Sequence, residues 1–457
     1  MNKRHYLFTI LFLLLSNLLA EPKDLTVVNK KIVVNGQEAN ILALTQSNGT
    51  FGIRFKKGQN FDVILKNTLN IPTSIHWHGL ILPNQQDGVA FVTQFPLYPN
   101  DSYHYRFPLV QSGTYWMHSH FCLQEQQLLS APLIIESPED DQIVDQEAIL
   151  FLSDFSFTQP SEIFRNLRCK SHSKKEMSDN NHPDLVDVNY DAFLINLKTI
   201  NQPDFLKVAS GEKIRLRIIN AASSTNFFID LGALVGELIA VDGNRIQSFF
   251  SSQFEISVAQ RLDIVVTIPN SGDIFPIIAI GEGTEMQAGY ILATNKITEF
   301  SNVFKKLTQK SGSLNNRQEM HFKALFPLLK KTVDNDVKLE LGGNMSKYIW
   351  TINGQTWPEV TPIIVEEGQR VQITFKNTTS MSHPMHLHGH VFQVKAINDQ
   401  LIDGAMRDTV LVSPNSSVTI QFDANNPGVW PLHCHLLYHL EAGMLTVVKY
   451  KNFQQPL

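Results

Sequence analysis

The segment Gly58-Gln59-Asn60-Phe61-Asp62-Val63-Ile64-Leu65-Lys66-Asn67 decides how this chain reads, because its pattern occurs three times. Gly211-Glu212-Lys213-Ile214-Arg215-Leu216-Arg217-Ile218-Ile219-Asn220 and Gly368-Gln369-Arg370-Val371-Gln372-Ile373-Thr374-Phe375-Lys376-Asn377 repeat the leading glycine, the alternating apolar positions and the closing asparagine. Alternation with period two describes a strand with one face in a core, and the glycine marks a turn. The glycines stand 153 and 157 residues apart in a chain of 457 residues, and domains average roughly 150 residues. Length and repeat agree on three related all-β domains. Their expected bounds are 21–140, 141–297 and 331–457, with 1–20 as a leader and 298–330 as a linker.

Composition narrows the function. With 43% apolar and 18% charged residues the chain is globular, not disordered or collagen-like. Acidic residues outnumber basic ones by 43 to 38, and no basic run offers a phosphate-binding stripe, so no nucleic acid partner is expected. Lys3 and Arg4 precede the apolar run Leu7 to Leu15, and small residues lead to a cut after Ala20. That pattern reads as an export signal; an uncleaved anchor is the alternative, but the run falls short of the about 20 residues a span needs. No later segment is apolar enough to span. The mature chain is expected to be an exported monomer, periplasmic or secreted. Arg165 to Pro183 reads as an exposed excursion, and a short helix is expected within Val303 to Leu307.

Sixteen histidines are the unusual count, and ten fall in four clusters. These are His76-Trp77-His78, His118-Ser119-His120, His383-Pro384-Met385-His386-Leu387-His388, and His433-Cys434-His435 continuing to His439. His76 and His386 are 310 residues apart, as are Gly58 and Gly368; His118 and His433 are 315 apart. Equivalent places in the first and third domains therefore carry the pairs, and eight imidazoles are expected to converge between them. The second domain has none and reads mainly as a spacer. Imidazole suits copper, zinc, iron and nickel, whereas hard ions want oxygen. Cys434, His439 and Met444 follow at intervals of five, with His383 upstream: two histidines, a thiolate and a weak thioether are a blue-copper set. His433 and His435 flank Cys434 and project away from it, which gives a short covalent path between the two donor groups.

These clusters resemble the copper signature of the multicopper oxidases, the group containing laccases, bilirubin oxidases, periplasmic cuprous oxidases and copper-resistance oxidases. The resemblance covers essentially the whole mature chain, and the run His433 to Met444 is its most specific part. His76-Trp77-His78-Gly79 and Gly113 to His120 are most similar to bacterial copper-resistance oxidases. The resemblance implies three cupredoxin-like Greek-key β-sandwich domains, four copper ions, and reduction of dioxygen to water by four one-electron oxidations of a reductant. By motif position it implies a type 1 copper on His383, Cys434, His439 and Met444, and a type 2 copper on His76 and His386. A type 3 pair would divide into His78, His118 and His435 on one ion and His120, His388 and His433 on the other.

It also implies that Asp87 serves the oxygen-reducing site as a proton relay, an ordinary Asp-Gly turn being the alternative. Glu441 has the same two readings, relay or structural hydrogen bond. Asp408 is expected to orient a type 1 histidine, an exposed charge being the alternative. His390 has a ligand reading and a locally bonded one; His104, His172, His182 and His321 read as solvated or locally bonded. Cys122 and Cys169 are the one pair left for a disulfide. The reductant stays open between a phenolic compound, Cu(I) and Fe(II), so a dedicated metallo-oxidase is the alternative to a laccase-like enzyme. There is no methionine-rich insert; Met381, Met385 and Met406 could border a substrate metal or simply pack. A non-catalytic copper-binding protein is the remaining alternative, opposed by the complete ligand set.

Overall fold

The computed structural model describes residues 21–138, 144–169, 185–295 and 303–454. The expected leader 1–20 and most of the excursion, with His172 and His182, lie outside the described residues. The chain builds three cupredoxin-like sandwiches of paired sheets. In the first, Gln37–Gln46, Lys23–Val34, Asn60–Asn67 and Ser102–Pro108 form one sheet; Ile53–Lys56, Ser130–Glu136, Gly113–Ser119 and Ile75–His78 form the other. The second has sheets of six and five strands, and the third of seven and five.

Each repeat segment occupies the same place in its sandwich. Asn60–Asn67, Lys213–Asn220 and Arg370–Asn377 each run parallel to the first long strand of their unit and antiparallel to a later one. Their alternation buries Phe61, Val63 and Leu65, and correspondingly Val371, Ile373 and Phe375. The leading glycines Gly58, Gly211 and Gly368 take φ of +85°, +84° and +86°, a left-handed turn that side chains resist. The closing asparagines have a shared task. Buried Asn67, Asn220 and Asn377 each donate through Nδ2 to two or more loop carbonyls, and their Oδ1 accepts the amide two residues on. They clamp the loop after the strand and thereby set where the next strand starts.

The first and third sandwiches share one large apolar core that includes Trp77, Trp116, Trp350 and Trp430, while the second packs a core of its own. Helices are few. Pro160–Cys169 is an amphipathic helix, so the start of the expected excursion is ordered, with Ile163 and Leu167 buried. The helix expected within Val303 to Leu307 is not formed; that stretch is turn and irregular chain. The linker is nonetheless fastened, burying Leu314 and Phe322.

Candidate metal centre

Strand pairing brings the four histidine clusters into two facing ladders. His76 stands opposite His118, and His386 opposite His433. Across the seam, His78 stacks on His386 with ring centroids 3.8 Å apart, and His76 lies 3.9 Å from His388. The Nε2 atoms of His388 and His433 are 3.0 Å apart, and that of His120 is 3.4 Å from the same His433 atom. Ligand atoms of His120, His388 and His433 lie within 4.8 Å of one another, as do those of His76, His78 and His118, and of His76, His386 and His388. His435 joins them, its ring centroid 5.0 Å from that of His118.

Hydrogen bonding shows which nitrogen each ring offers. His76 Nδ1 lies 2.9 Å from the Asp87 carbonyl, His386 Nδ1 2.8 Å from the Asp408 carbonyl, and His118 Nδ1 2.9 Å from Glu125 Oε2. Their Nε2 atoms, and that of His435, are buried with no hydrogen-bond partner. His78 is reversed: Nε2 lies 3.1 Å from Asp408 Oδ1, and Nδ1 is the orphan. Five buried lone pairs without partners would each carry a desolvation cost unless a cation takes them. Burial first, then neighbouring imidazoles, holds His78, His118, His120, His386, His388 and His435 well below the usual imidazole range. They are neutral donors, as metal binding requires.

A second constellation sits at the other end of the His433-Cys434-His435 run. Nδ1 of His383 and of His439 are 3.2 Å apart, and both point at Cys434 Sγ, at 3.6 and 3.7 Å. Their outer nitrogens are held, His383 Nε2 by Thr379 Oγ1 at 2.9 Å and His439 Nε2 by Asp187 Oδ2 at 3.0 Å. Burial pushes the Cys434 thiol up, so a bound metal is what would deprotonate it. Met444 is buried in the turn between helix Leu437–Glu441 and strand Leu445–Tyr450, its carbonyl accepting the Cys434 amide at 3.1 Å. Imidazole, thiolate and thioether without a hard oxygen donor suit copper.

The acidic residues distribute differently from expectation. Asp87 is fully buried and spans two histidines, with Oδ1 3.2 Å from His76 Nδ1 and Oδ2 3.0 Å from His388 Nδ1. Asp408 does not touch His383 or His439, nor is it exposed, correcting the expectation: it serves His78 and His386, because residue 409 pairs with His386 on the adjacent strand. Glu441 is exposed at the end of helix Leu437–Glu441, on the lip of a cleft of about 270 Å³ that reaches His120 and Glu125. His390 is locally bonded to Tyr450 Oη at 2.7 Å, and His104 to Asp62 at 2.6 Å. Met381 and Met385 are buried in the core. Cys122 and Cys169 are both free and exposed.

Three residues escaped the sequence reading. Glu125 follows the second cluster by five residues and opens a single 3-10 turn, Glu125–Gln127, too short for a periodicity to reveal it. Asp187 comes from the second sandwich, and so does Arg261, which grips Asp408 with Nη1 to Oδ1 at 2.8 Å and Nη2 to Oδ2 at 2.5 Å. The middle unit is therefore more than a spacer.

Comparison with known proteins gives the family. Sequence profiles described as multicopper oxidase match residues 26–140, 150–298 and 331–454. Multicopper oxidase MmcO of Mycobacterium tuberculosis is 34% identical over 87% of this chain and 81% of its own length. A copper resistance protein A homolog of Pseudomonas syringae pv. tomato is 25% identical over 93% of this chain and 92% of its own. Among solved structures, Fet3p, a multicopper oxidase that functions in iron import, superposes with a TM-score of 0.78 at 21% identity, covering 94% of this chain and 90% of that one.

Proposed function

The chain belongs to the multicopper oxidase family, and from that premise we propose how its residues divide the work of coupling one-electron oxidation of a reductant to reduction of dioxygen to water. It is an oxidoreductase with dioxygen as acceptor and copper as cofactor. We assign a type 1 copper to His383, Cys434, His439 and Met444, a type 2 copper to His76 and His386, and a type 3 pair to His78, His118 and His435 and to His120, His388 and His433. Bound there, the coppers supply the electron transfer and the four-electron chemistry.

The observation that carries this reading is the position of Cys434. Its sulfur faces His383 and His439, while its chain neighbours His433 and His435 face the eight-histidine group. Electrons accepted at one set therefore have a covalent route of a few bonds to the other. Asp408, Asp87 and Glu125 hold ring tautomers so that the orphaned nitrogens face inward. Asp87 bridges rings from both sandwiches and is our proton relay, with Glu441 feeding the cleft from its mouth. The domain bounds 21–140, 141–297 and 331–457, a linker over 298–330, a leader over 1–20, export to the periplasm or medium, and a monomeric state complete the proposal.

The reductant approaches His439, whose outer nitrogen is bonded to Asp187. One Asp187 oxygen is buried without a hydrogen-bond partner, and a carboxylate suits a metal cation as well as a phenol proton. A dedicated Cu(I) or Fe(II) oxidase is therefore the second reading beside the laccase-like one. Copper-loaded protein should show an intense blue absorption, bleached by reductant and restored by air. Oxygen uptake compared side by side with phenolic, ferrous and cuprous reductants decides between the readings; no uptake with any of them would reject both. Cys434→Ser should remove the blue band and turnover from a folded protein, and retained turnover would reject the route through Cys434.

A further inference from the structure

His439 is held from three directions. Its Nδ1 faces His383 Nδ1 at 3.2 Å and Cys434 Sγ at 3.7 Å, and its Nε2 meets Asp187 Oδ2 at 3.0 Å. The third hold is on the face of the ring. The indole of Trp350 stacks there, with ring centroids 4.0 Å apart and planes 27° from parallel. The same indole meets His383 more nearly edge-on, at 5.2 Å and 69°. Trp350 is fully buried, and its backbone is tied to the same unit: its amide donates to the Ala442 carbonyl at 3.3 Å, in the turn between His439 and Met444.

The indole can lie flat because a glycine stands beside it. Trp350, on strand Ile349–Ile352, pairs with Gly343 on the antiparallel strand Asn335–Asn344. A Cβ on Gly343 would run into Trp350 Cε3 and stand 2.7 Å from Cζ3, so the missing side chain is the space the six-membered ring occupies. The indole is thus confined between a strand backbone and the imidazole that we assign to copper. Stacking holds the plane of that imidazole. The π face of an indole also attracts positive charge, most strongly where water is excluded. The site assigned to His383, Cys434, His439 and Met444 carries one more positive charge oxidised than reduced, so an indole face against its imidazole favours the oxidised form. We propose that Trp350 is a positioning residue for electron entry: it fixes the plane of His439 and, through that ring, lowers the potential of the type 1 site, with Gly343 providing the room. This role rests on the ligand assignment proposed above.

The visible spectrum of the copper-loaded protein, and a redox titration followed at its blue band, test this. Trp350→Leu should shift the band and raise the midpoint potential, because an aliphatic side chain offers no π face. Trp350→Phe should shift both in the same direction but less, and it carries the test if the leucine variant does not fold. Gly343→Ala leaves Trp350 and His439 in place yet forces the indole to move, so its band should shift too. In each variant the paramagnetic resonance of the type 2 copper that we assign to His76 and His386 should match wild type, which reports an intact fold. A purely structural Trp350 would lower the melting temperature and leave band and potential where they are. That result, or a lowered potential in Trp350→Leu, overturns the role while the ligand assignment stands. A wild type without the blue band overturns the assignment itself, and this role with it.

Discussion

Asp187 concentrates more consequence than any other single side chain outside the ligand set. Its Oδ2 lies 3.0 Å from His439 Nε2 and 2.7 Å from Tyr348 Oη, and its side chain is 6% exposed. A negative charge against the outer edge of the imidazole that we assign to copper makes that ring electron-rich and attracts a cationic reductant. Asp187→Asn keeps the shape and an acceptor oxygen but removes the charge. We expect the blue band to persist while kcat/KM for Fe(II) or Cu(I) falls on the order of tenfold, about 1.4 kcal/mol. The loss should lie mainly in KM for a cation and in the pH profile for a phenol; unchanged oxygen uptake with all three would show that electrons are accepted elsewhere. Gly88 matters for a steric reason. At φ +85°, a Cβ there would stand against the Ile75 carbonyl and His76 backbone. Gly88→Ala should therefore displace Asp87 from His76 and His388, cutting turnover more than stability, as oxygen uptake and thermal melting together would show. The sequence made Asp87-Gly88 visible as a turn, but only the fold shows that the turn is pressed against a ligand strand.

At the scale of elements, legibility followed periodicity. The repeated strands, their glycines and their asparagines carry a local signal, because each residue's task is set within its own strand and turn. The histidine pairs were legible for the same reason, since alternate residues on a strand share a face. Asp187, Glu125 and Arg261 carry no such signal: their partners are remote in sequence, and nothing local marks them. The linker is a further case, polar and aperiodic in sequence yet clipped to the second sandwich by Glu282. That buried carboxylate accepts the Leu314 amide and Asn226 Nδ2, both at 2.6 Å. Burial pushes its carboxyl from 4.5 up to about 7. The folded state thus holds a proton that the unfolded chain releases above pH 4.5. The stabilisation is complete below that pH and is lost as pH rises through 7, a change on the order of 3 kcal/mol. Urea unfolding at pH 5 and pH 8 should show this loss, and Glu282→Gln should flatten it; parallel pH dependence in variant and wild type would place the effect elsewhere.

For the whole molecule, the arrangement of charges explains why three sandwiches are needed for a site that two of them line. Arg261 of the second sandwich grips Asp408 of the third, and Asp408 holds His78 of the first and, through its carbonyl, His386 of the third. The chain of charge continues outward, with Asp242 Oδ1 accepting the Arg261 amide and Arg407 reaching both Asp242 and Glu319 of the linker. All these groups are buried, so each charge depends on its partner to offset desolvation. Cutting one link leaves an uncompensated charge beside the histidines. Arg261→Met should destabilise the protein by about 3–5 kcal/mol, the cost of breaking a buried pair from one side. Arg261→Lys keeps the charge but loses the two-pronged geometry that orients Asp408. Its copper-loaded form should keep the blue band that we assign to the distant Cys434 site, while the paramagnetic resonance of the copper that we propose at His76 and His386 changes and turnover drops. If Arg261→Lys lowered only the melting temperature and left that resonance and turnover intact, Arg261 would be a structural strut between sandwiches. A changed resonance in a protein with an unaltered blue band instead identifies the middle sandwich as part of the oxygen-reducing centre, acting through the orientation of His78 and His386.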